Sequence, residues 1–294
     1  MLEHLDRAPE NPARVVVMGA GGFVGSALAR RLEAAGVPVL GLGRKEVDLL
    51  AAGAAERLAA MLRPDDALVA VSAIAPCKNA AMLADNMVLA AAMVGALVKA
   101  PVAHVINISS DAVYADLPDP LTEASPTAPV SLHGAMHLAR EAAFKAEVTA
   151  PLAILRPTLL YGAADPHDGY GPNRFRRLAN AGRDIVLFGE GEERRDHVLI
   201  DDVAEITYQV LRHRSTGALN IATGAVHSFR QVAELVVANA PNEVTIETSA
   251  RIGPMPHNGY RPFDITAARQ AFPDFRYTPL AEGVAKAQRD IAGA

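Results

Sequence analysis

No stretch constrains this chain more than residues 13–44, ARVVVMGAGGFVGSALARRLEAAGVPVLGLGR. Val15 to Met18 is an unbroken apolar run, the pattern of a strand covered on both faces. Glycines follow at 19, 22 and 25, and then Ala27, Leu28, Arg31 and Leu32 recur at helical spacing up to a stop at Gly36. A second strand over 37–42 completes a β-α-β unit. In such a unit the first glycine permits a tight turn and the second lets backbone approach a pyrophosphate. The third lets the helix pack closely, and the phosphates rest on the helix N-terminus. Gly19, Gly22, Phe23, Val24 and Gly25 are therefore the candidate dinucleotide-binding residues. Beyond the second strand the tip reads Gly43, Arg44, Lys45, where an NAD binder usually carries an acid for the ribose 2′-hydroxyl. The two cations favour the 2′-phosphate of NADP(H). Glu46 and Asp48 lie near enough to keep NAD open, and Asp48 joins the candidate cofactor contacts.

Helix and strand signals go on alternating: helix 54–62, strand 67–71, helix 80–99, strand 103–109, helix 133–149, strand 152–155. That order predicts an α/β fold with a Rossmann-type, doubly wound, mostly parallel sheet. After Tyr161 the texture changes, with Gly/Pro/Asp-rich segments at GAADPHDGYGPN, around Pro241 and at RIGPMPHNGYRPF. Long loops of this kind usually shape a binding site. The expected layout is a dinucleotide domain over 13–162 with a return segment at about 193–222. A smaller C-terminal substrate-binding lobe takes 163–192 and 223–294. Half the residues are hydrophobic, only 5% are aromatic and Trp is absent, which suits a helix-rich α/β chain better than an all-β one. A net charge of −5 with no basic stripe argues against nucleic acid as a partner. The polar N-terminus has no signal-like apolar core, and the longest apolar run, Met87 to Val98, is short for a bilayer. A soluble, cytoplasmic protein with no membrane partner is expected, and the single Cys77 fits a reducing compartment. The helix over 80–99 is apolar nearly all round, so it is either sandwiched within the chain or half of a subunit interface.

In this frame the sequence resembles the extended short-chain dehydrogenase/reductase superfamily, in its NAD-dependent epimerase/dehydratase branch that modifies nucleotide sugars. The likeness spans about residues 13–290, and its markers stand in order. GAGGFVG is similar to the glycine fingerprint, and INISSDAVYAD to the family's Ser-Ser…Val-Tyr segment. EASPTAPVSLHGAMHLARE and LRPTLLYG resemble the flanks of the catalytic helix. FGEGEERRDHVLIDDVAE and FDITAARQAFPDFRYTPLAEGV resemble its substrate arginine stretch and closing element. The resemblance implies an NAD(P)-dependent epimerase or 4-keto reductase acting on a nucleotide-diphosphate sugar, and a homodimer through helices 80–99 and 133–149. It places Ser110 where a Ser/Thr polarises the substrate oxygen and Asp111 where the dehydratases carry an acid. Ala112 then replaces their glutamate base, which counts against dehydration. It also places Arg195 on the substrate diphosphate, and Asn173, Arg176 and Arg261 among the substrate contacts.

One departure is large. The family's catalytic helix carries Tyr and Lys four apart, and the aligned residues here are His133 and His137. No Tyr-x-x-x-Lys exists elsewhere, because the five lysines have Gly41, Ile74, Gly95, Glu141 and Glu282 four positions upstream. Three readings stand open. In the first, His133, His137 and Glu141 supply three metal ligands from one helical face, but the His-Glu-x-x-His base is missing and no metal is expected. The site has alternatively decayed, leaving a silent NAD(P)-binding sensor or scaffold. Or the proton site has been rebuilt. A phenol near pKa 10 needs a lysine charge beside it, whereas an imidazole near 6.5 does not. A lysine about 4 Å away at an effective dielectric near 20 acts with about 4 kcal/mol, enough to spoil His133 as an acid. The two replacements thus make sense together: His133 relays the proton, Ser110 binds the same oxygen and His137 orients the cofactor. Lys78, beside Cys77, is an outside candidate for a displaced acid.

Overall fold

The apolar run at 15–18 is the middle of a sheet, and its alternate residues feed two different cores. In the computed structural model, which describes residues 2–292, Val15 and Val17 pack among Leu28, Leu32, Val203 and Ile206. Val16 and Met18 face the other way, onto Leu58, Leu89 and Met93. A strand covered on both faces has no polar side to show, which is why the sequence run is continuous.

The first half comprises β1 (Arg14–Met18), α1 (Phe23–Ala34), β2 (Val39–Leu42), α2 (Ala54–Ala59) and β3 (Asp66–Ala70). α3 (Ala80–Lys99), β4 (His104–Ile108), α4 (Leu132–Glu147) and β5 (Leu152–Pro157) follow. Next come β6 (Leu159–Tyr161), α5 (Pro172–Asn180), β7 (Ile185–Phe188), β8 (Arg194–Leu199), α6 (Ile200–Arg212) and β9 (Gly217–Ile221). The chain closes with β10 (Val226–Ser228), α7 (Phe229–Ala238), β11 (Ile246–Ser249), β12 (Tyr260–Arg261), α8 (Thr266–Ala271) and α9 (Leu280–Ala292). The central sheet runs β2-β1-β3-β4-β5-β9, and every pairing within it is parallel. The strand order turns at β1/β3, and the crevice at the strands' C-terminal ends of such a turn is where open α/β sheets bind ligands.

Two expectations need correction. The return segment does not begin at 193: β8 belongs to the small sheet β10-β8-β12, to which β6 is joined, and only α6 and β9 return to the main layer. α8 also crosses back, with Ala268 and Phe272 in the core beneath α6. At 20 residues α3 is, by length and composition, long and apolar enough to span a bilayer, contrary to the estimate from Met87–Val98. In the fold it lies between α2 and α4, with Leu89, Met93 and Leu97 turned onto the sheet. Its outer face leaves Val88 and Val98 about half exposed.

Candidate active site

A cavity of about 1190 Å³ opens along the C-terminal ends of β1, β2, β3, β4 and β5 and is roofed by the loops of the small sheet. Its floor is the glycine turn. Gly19 sits at φ +100°, and a Cβ there would stand 2.8 Å from the Ser72 nitrogen. A Cβ on Gly25 would stand 2.1 Å from the Gly19 carbonyl oxygen, so only glycine lets α1 start this close to β1. Gly22 caps α1 without a side chain, and no acid occupies the first turn. The turn thus leaves its amides and the helix dipole free for an anion, and it fits a dinucleotide diphosphate. Gly19, Gly22, Phe23 and Val24 line the cavity, while Gly25 acts from behind it.

At the tip of β2, Arg44 and Asp48 line the cavity but Lys45 is exposed outside it. Glu46 turns back to accept the Gly43 N–H at 2.8 Å, closing its own loop. Asp48 Oδ1 accepts from the Leu50 amide at 3.0 Å. Arg44 is the one cation of the pair that faces the space, which corrects the expectation for Lys45.

Ser110 lies two residues beyond β4 and caps the short turn Asp111–Val113, accepting from the Ala112 amide at 3.1 Å. α4 begins against this turn. Ser131 caps it by accepting from the Gly134 amide at 3.1 Å, and a Cβ on Gly134 would lie 2.0 Å from the Ala112 oxygen. That close approach carries His133 to the cavity wall that Ser110 also lines. The Cys77 amide donates to His133 Nδ1 at 3.4 Å, and the His133 and His137 rings meet edge to face at 4.7 Å. Burial lowers the His133 pKa, Asp111 raises it in part, and His167 lowers it further. His137 is buried, its Nδ1 has no partner, and burial, His133 and Arg140 hold it well below the ordinary value. Both rings are neutral at pH 7.

Glu141 does not join them. Its Oε1 accepts from Ser109 at 2.6 Å and from Arg156 Nε at 2.9 Å, and its Oε2 from Arg156 Nη2 at 2.6 Å. The three-ligand reading therefore fails on geometry, and no group of three potential ligands is placed for a metal among the described residues. Tyr114 is no displaced phenol: it is fully buried, accepts from Arg156 at 2.8 Å and donates to Asn220 at 2.7 Å. Lys78 is exposed and outside the cavity wall.

At the far end Arg195 and Arg261 line the cavity, but both arrive already paired. Arg195 donates to Glu193 and to the Pro256 carbonyl, the latter at 2.7 Å. Arg261 reaches Asp111 Oδ2 at 2.9 Å and Asp116 Oδ1 at 2.8 Å. The Asp111 side chain is therefore anchored to Arg261 of β12 rather than standing free as an acid. Asn173 reaches the wall, yet its side chain is spent on Leu160, Gly162 and Asp165. Arg176 is a correction. It is buried and donates to the Gly162 and Ala287 carbonyls at 2.8 Å each, tying α5 to α9 rather than meeting a ligand. Sequence reasoning missed Asp116 and His257, which are hydrogen-bonded to each other beside Arg261. Asp116 closes the INISSDAVYAD segment and His257 lies in the loop RIGPMPHNGYRPF, but neither stretch marks the two as partners.

A family model described as the NAD dependent epimerase/dehydratase family matches residues 15–222. The UDP-glucose 4-epimerase of Mycolicibacterium smegmatis is 28% identical over 93% of this chain and 96% of its own length. A dTDP-6-deoxy-L-talose 4-dehydrogenase (NAD(P)(+)) of Kitasatospora kifunensis is 29% identical over 88% and 90%. Among solved structures, the UDP-glucose 4-epimerase of Thermus thermophilus in complex with NAD superposes with a TM-score of 0.81 at 22% identity. That match covers 96% of this chain and 99% of the other.

Proposed function

Because this chain belongs to the NAD dependent epimerase/dehydratase family, we propose that it is an NADP(H)-preferring epimerase or 4-keto reductase of a nucleotide-linked sugar, working as a cytoplasmic homodimer. One observation carries the reading: Ser110 and His133 line the same cavity that the glycine turn floors. The dinucleotide, when bound, supplies the hydride acceptor or donor, and Gly19, Gly22, Phe23 and Val24 would hold its diphosphate. Arg44 would meet a 2′-phosphate, with Asp48 nearby. His137 would orient the cofactor, its ring being neutral and otherwise unbonded on Nδ1. Ser110 would bind the substrate oxygen, and neutral His133 would take the hydroxyl proton on Nδ1, in place of its long 3.4 Å contact with the Cys77 amide, as hydride departs, or return it as hydride arrives. Arg195 and Arg261 would receive the substrate phosphates, exchanging carboxylate partners for phosphate oxygens. The outward face of α3, with Val88 and Val98 exposed, supports the dimer.

The test is a panel of nucleotide sugars added to protein loaded with cofactor, followed by nicotinamide absorbance near about 340 nm. A change with at least one sugar nucleotide supports the reading. A dinucleotide that binds tightly and never changes redox state supports the second reading, a silent binding protein. That alternative has one observation in its favour: the two arginines for the substrate diphosphate are already neutralised by Glu193, Asp111 and Asp116.

A further inference from the structure

Behind the cavity wall lies a charge with no partner of opposite sign. Arg140 stands three residues beyond His137 on α4 and is only 2% exposed. Its Nη1 donates to the Ser72 carbonyl at 2.7 Å and its Nη2 to the Ala70 carbonyl at 2.5 Å, while Nε has no acceptor. Among the described residues no carboxylate forms an ion pair with it. Its neighbour Glu141 is committed to Arg156, Ser109 and Lys145. The buried side of α4 therefore sets two guanidinium groups, Arg140 and Arg156, against one carboxylate. Burial brings Arg140 down to about 10, so it stays charged at neutral pH. An uncompensated buried cation is costly, and two backbone carbonyls with the Phe144 ring 5.8 Å away are meagre solvation for it.

The location suggests what offsets that cost. Ser72 continues from the C-terminal end of β3, lines the cavity and packs against Gly19 of the glycine turn. On the other side Arg140 acts electrostatically on His137. We propose that Arg140 is a positioning residue of the dinucleotide site, a fixed buried cation that carries, three positions further along α4, the charge His137 lacks, and that the anionic dinucleotide compensates it. The inference rests on the dinucleotide reading above. It has two consequences. The cation strengthens binding of the cofactor's phosphates through the low-dielectric wall. It also disfavours the positively charged oxidised nicotinamide relative to the neutral reduced ring.

The experiment measures the Kd of reduced and oxidised NADP for the wild type, Arg140→Lys and Arg140→Met, together with the Tm of each cofactor-free protein. Arg140→Met is expected to bind reduced NADP about tenfold more weakly, and its ratio of oxidised to reduced Kd should fall by roughly threefold. Arg140→Lys, which fits the two carbonyls imperfectly but keeps the charge, should stay within about threefold of the wild type at a similar Tm. The proposal is overturned if Arg140→Met binds both forms like the wild type, or if both variants lose affinity equally and in step with Tm. A wild type that binds neither form overturns this proposal and the dinucleotide reading together. Should Arg140→Met fail to fold, Arg140→Gln, which is neutral but keeps an amide donor for the two carbonyls, replaces it: the same weakening of about tenfold is expected, and wild-type affinity for both forms overturns the proposal.

Discussion

In the proposed function, Arg44 and His133 are the two side chains that most define what the site would accept and do. Arg44 faces the cavity while Lys45 does not and Glu46 is folded away, so the proposed preference for NADP rests mainly on one guanidinium. Arg44→Ala should raise the Kd for NADP by about tenfold and leave that for NAD within about twofold, by calorimetric titration. Equal losses for both would deny Arg44 a part in the choice. For His133 the sign of the pH effect follows from its lowered pKa. At pH 7 the ring is already the base form, so the oxidising direction should be flat from about pH 7 to 8 and fall below about 6.5 as the ring protonates. The reducing direction needs the acid form and should rise over that same fall. The sequence pointed to His133, His137, Ser110 and the glycines because each occupies a fixed offset in a motif. It misplaced Arg176 and Lys45 because a motif fixes a position along the chain but not which way a long side chain turns. Arg176 found the Ala287 backbone carbonyl of α9, a partner more than a hundred residues away.

At the scale of elements, the docking of α4 on the Asp111–Val113 turn decides whether His133 meets Ser110. Gly134→Ala puts a methyl carbon where the Ala112 oxygen stands, and both are backbone-fixed. The expected cost is about 1–3 kcal/mol of stability with at least a tenfold loss of turnover. Dinucleotide affinity should hardly change, since the glycine turn lies on α1. Calorimetry and cofactor titration of this variant separate the two effects, and wild-type turnover, or a loss of cofactor affinity as large as the loss of turnover, would contradict the account. Elements were legible where periodicity is strong, as in β1, α3 and α4. β8 was misassigned because its sequence, four polar residues from Arg194 followed by Val198 and Leu199, has no period that ties it to either sheet. Its pairing with β6, β10 and β12 is set by partners distant in the chain.

For the whole molecule, the sheet order and the cavity along its strand ends followed from the β-α-β alternation, whereas the charge balance inside did not. Neither Arg140 nor the Glu141–Arg156 pair carries any mark in the sequence, because burial of a charge is a tertiary event. The same holds for two buried histidines, His104 and His197, which burial pushes down to about 4 and about 3. Unfolded, each titrates near about 6.5. Below that value the unfolded chain takes up protons the folded chain refuses, so stability is full above about pH 7 and is lost as pH falls. Between about pH 8 and 5 these two histidines remove roughly 4 kcal/mol, a Tm fall of roughly 6 °C for a chain of this size. Burial raises Asp196, which works in the opposite sense at lower pH. A Tm that is flat from pH 8 to 5 would show that the two rings are solvated or paired.

The account as a whole turns on the imidazole of His133 handling the proton. The most direct measurement is turnover of His133→Phe on the sugar nucleotide that the wild type converts, with cofactor Kd measured alongside. A fall of at least about a hundredfold with the Kd held within about threefold is the predicted result. Turnover within about twofold of the wild type would contradict it.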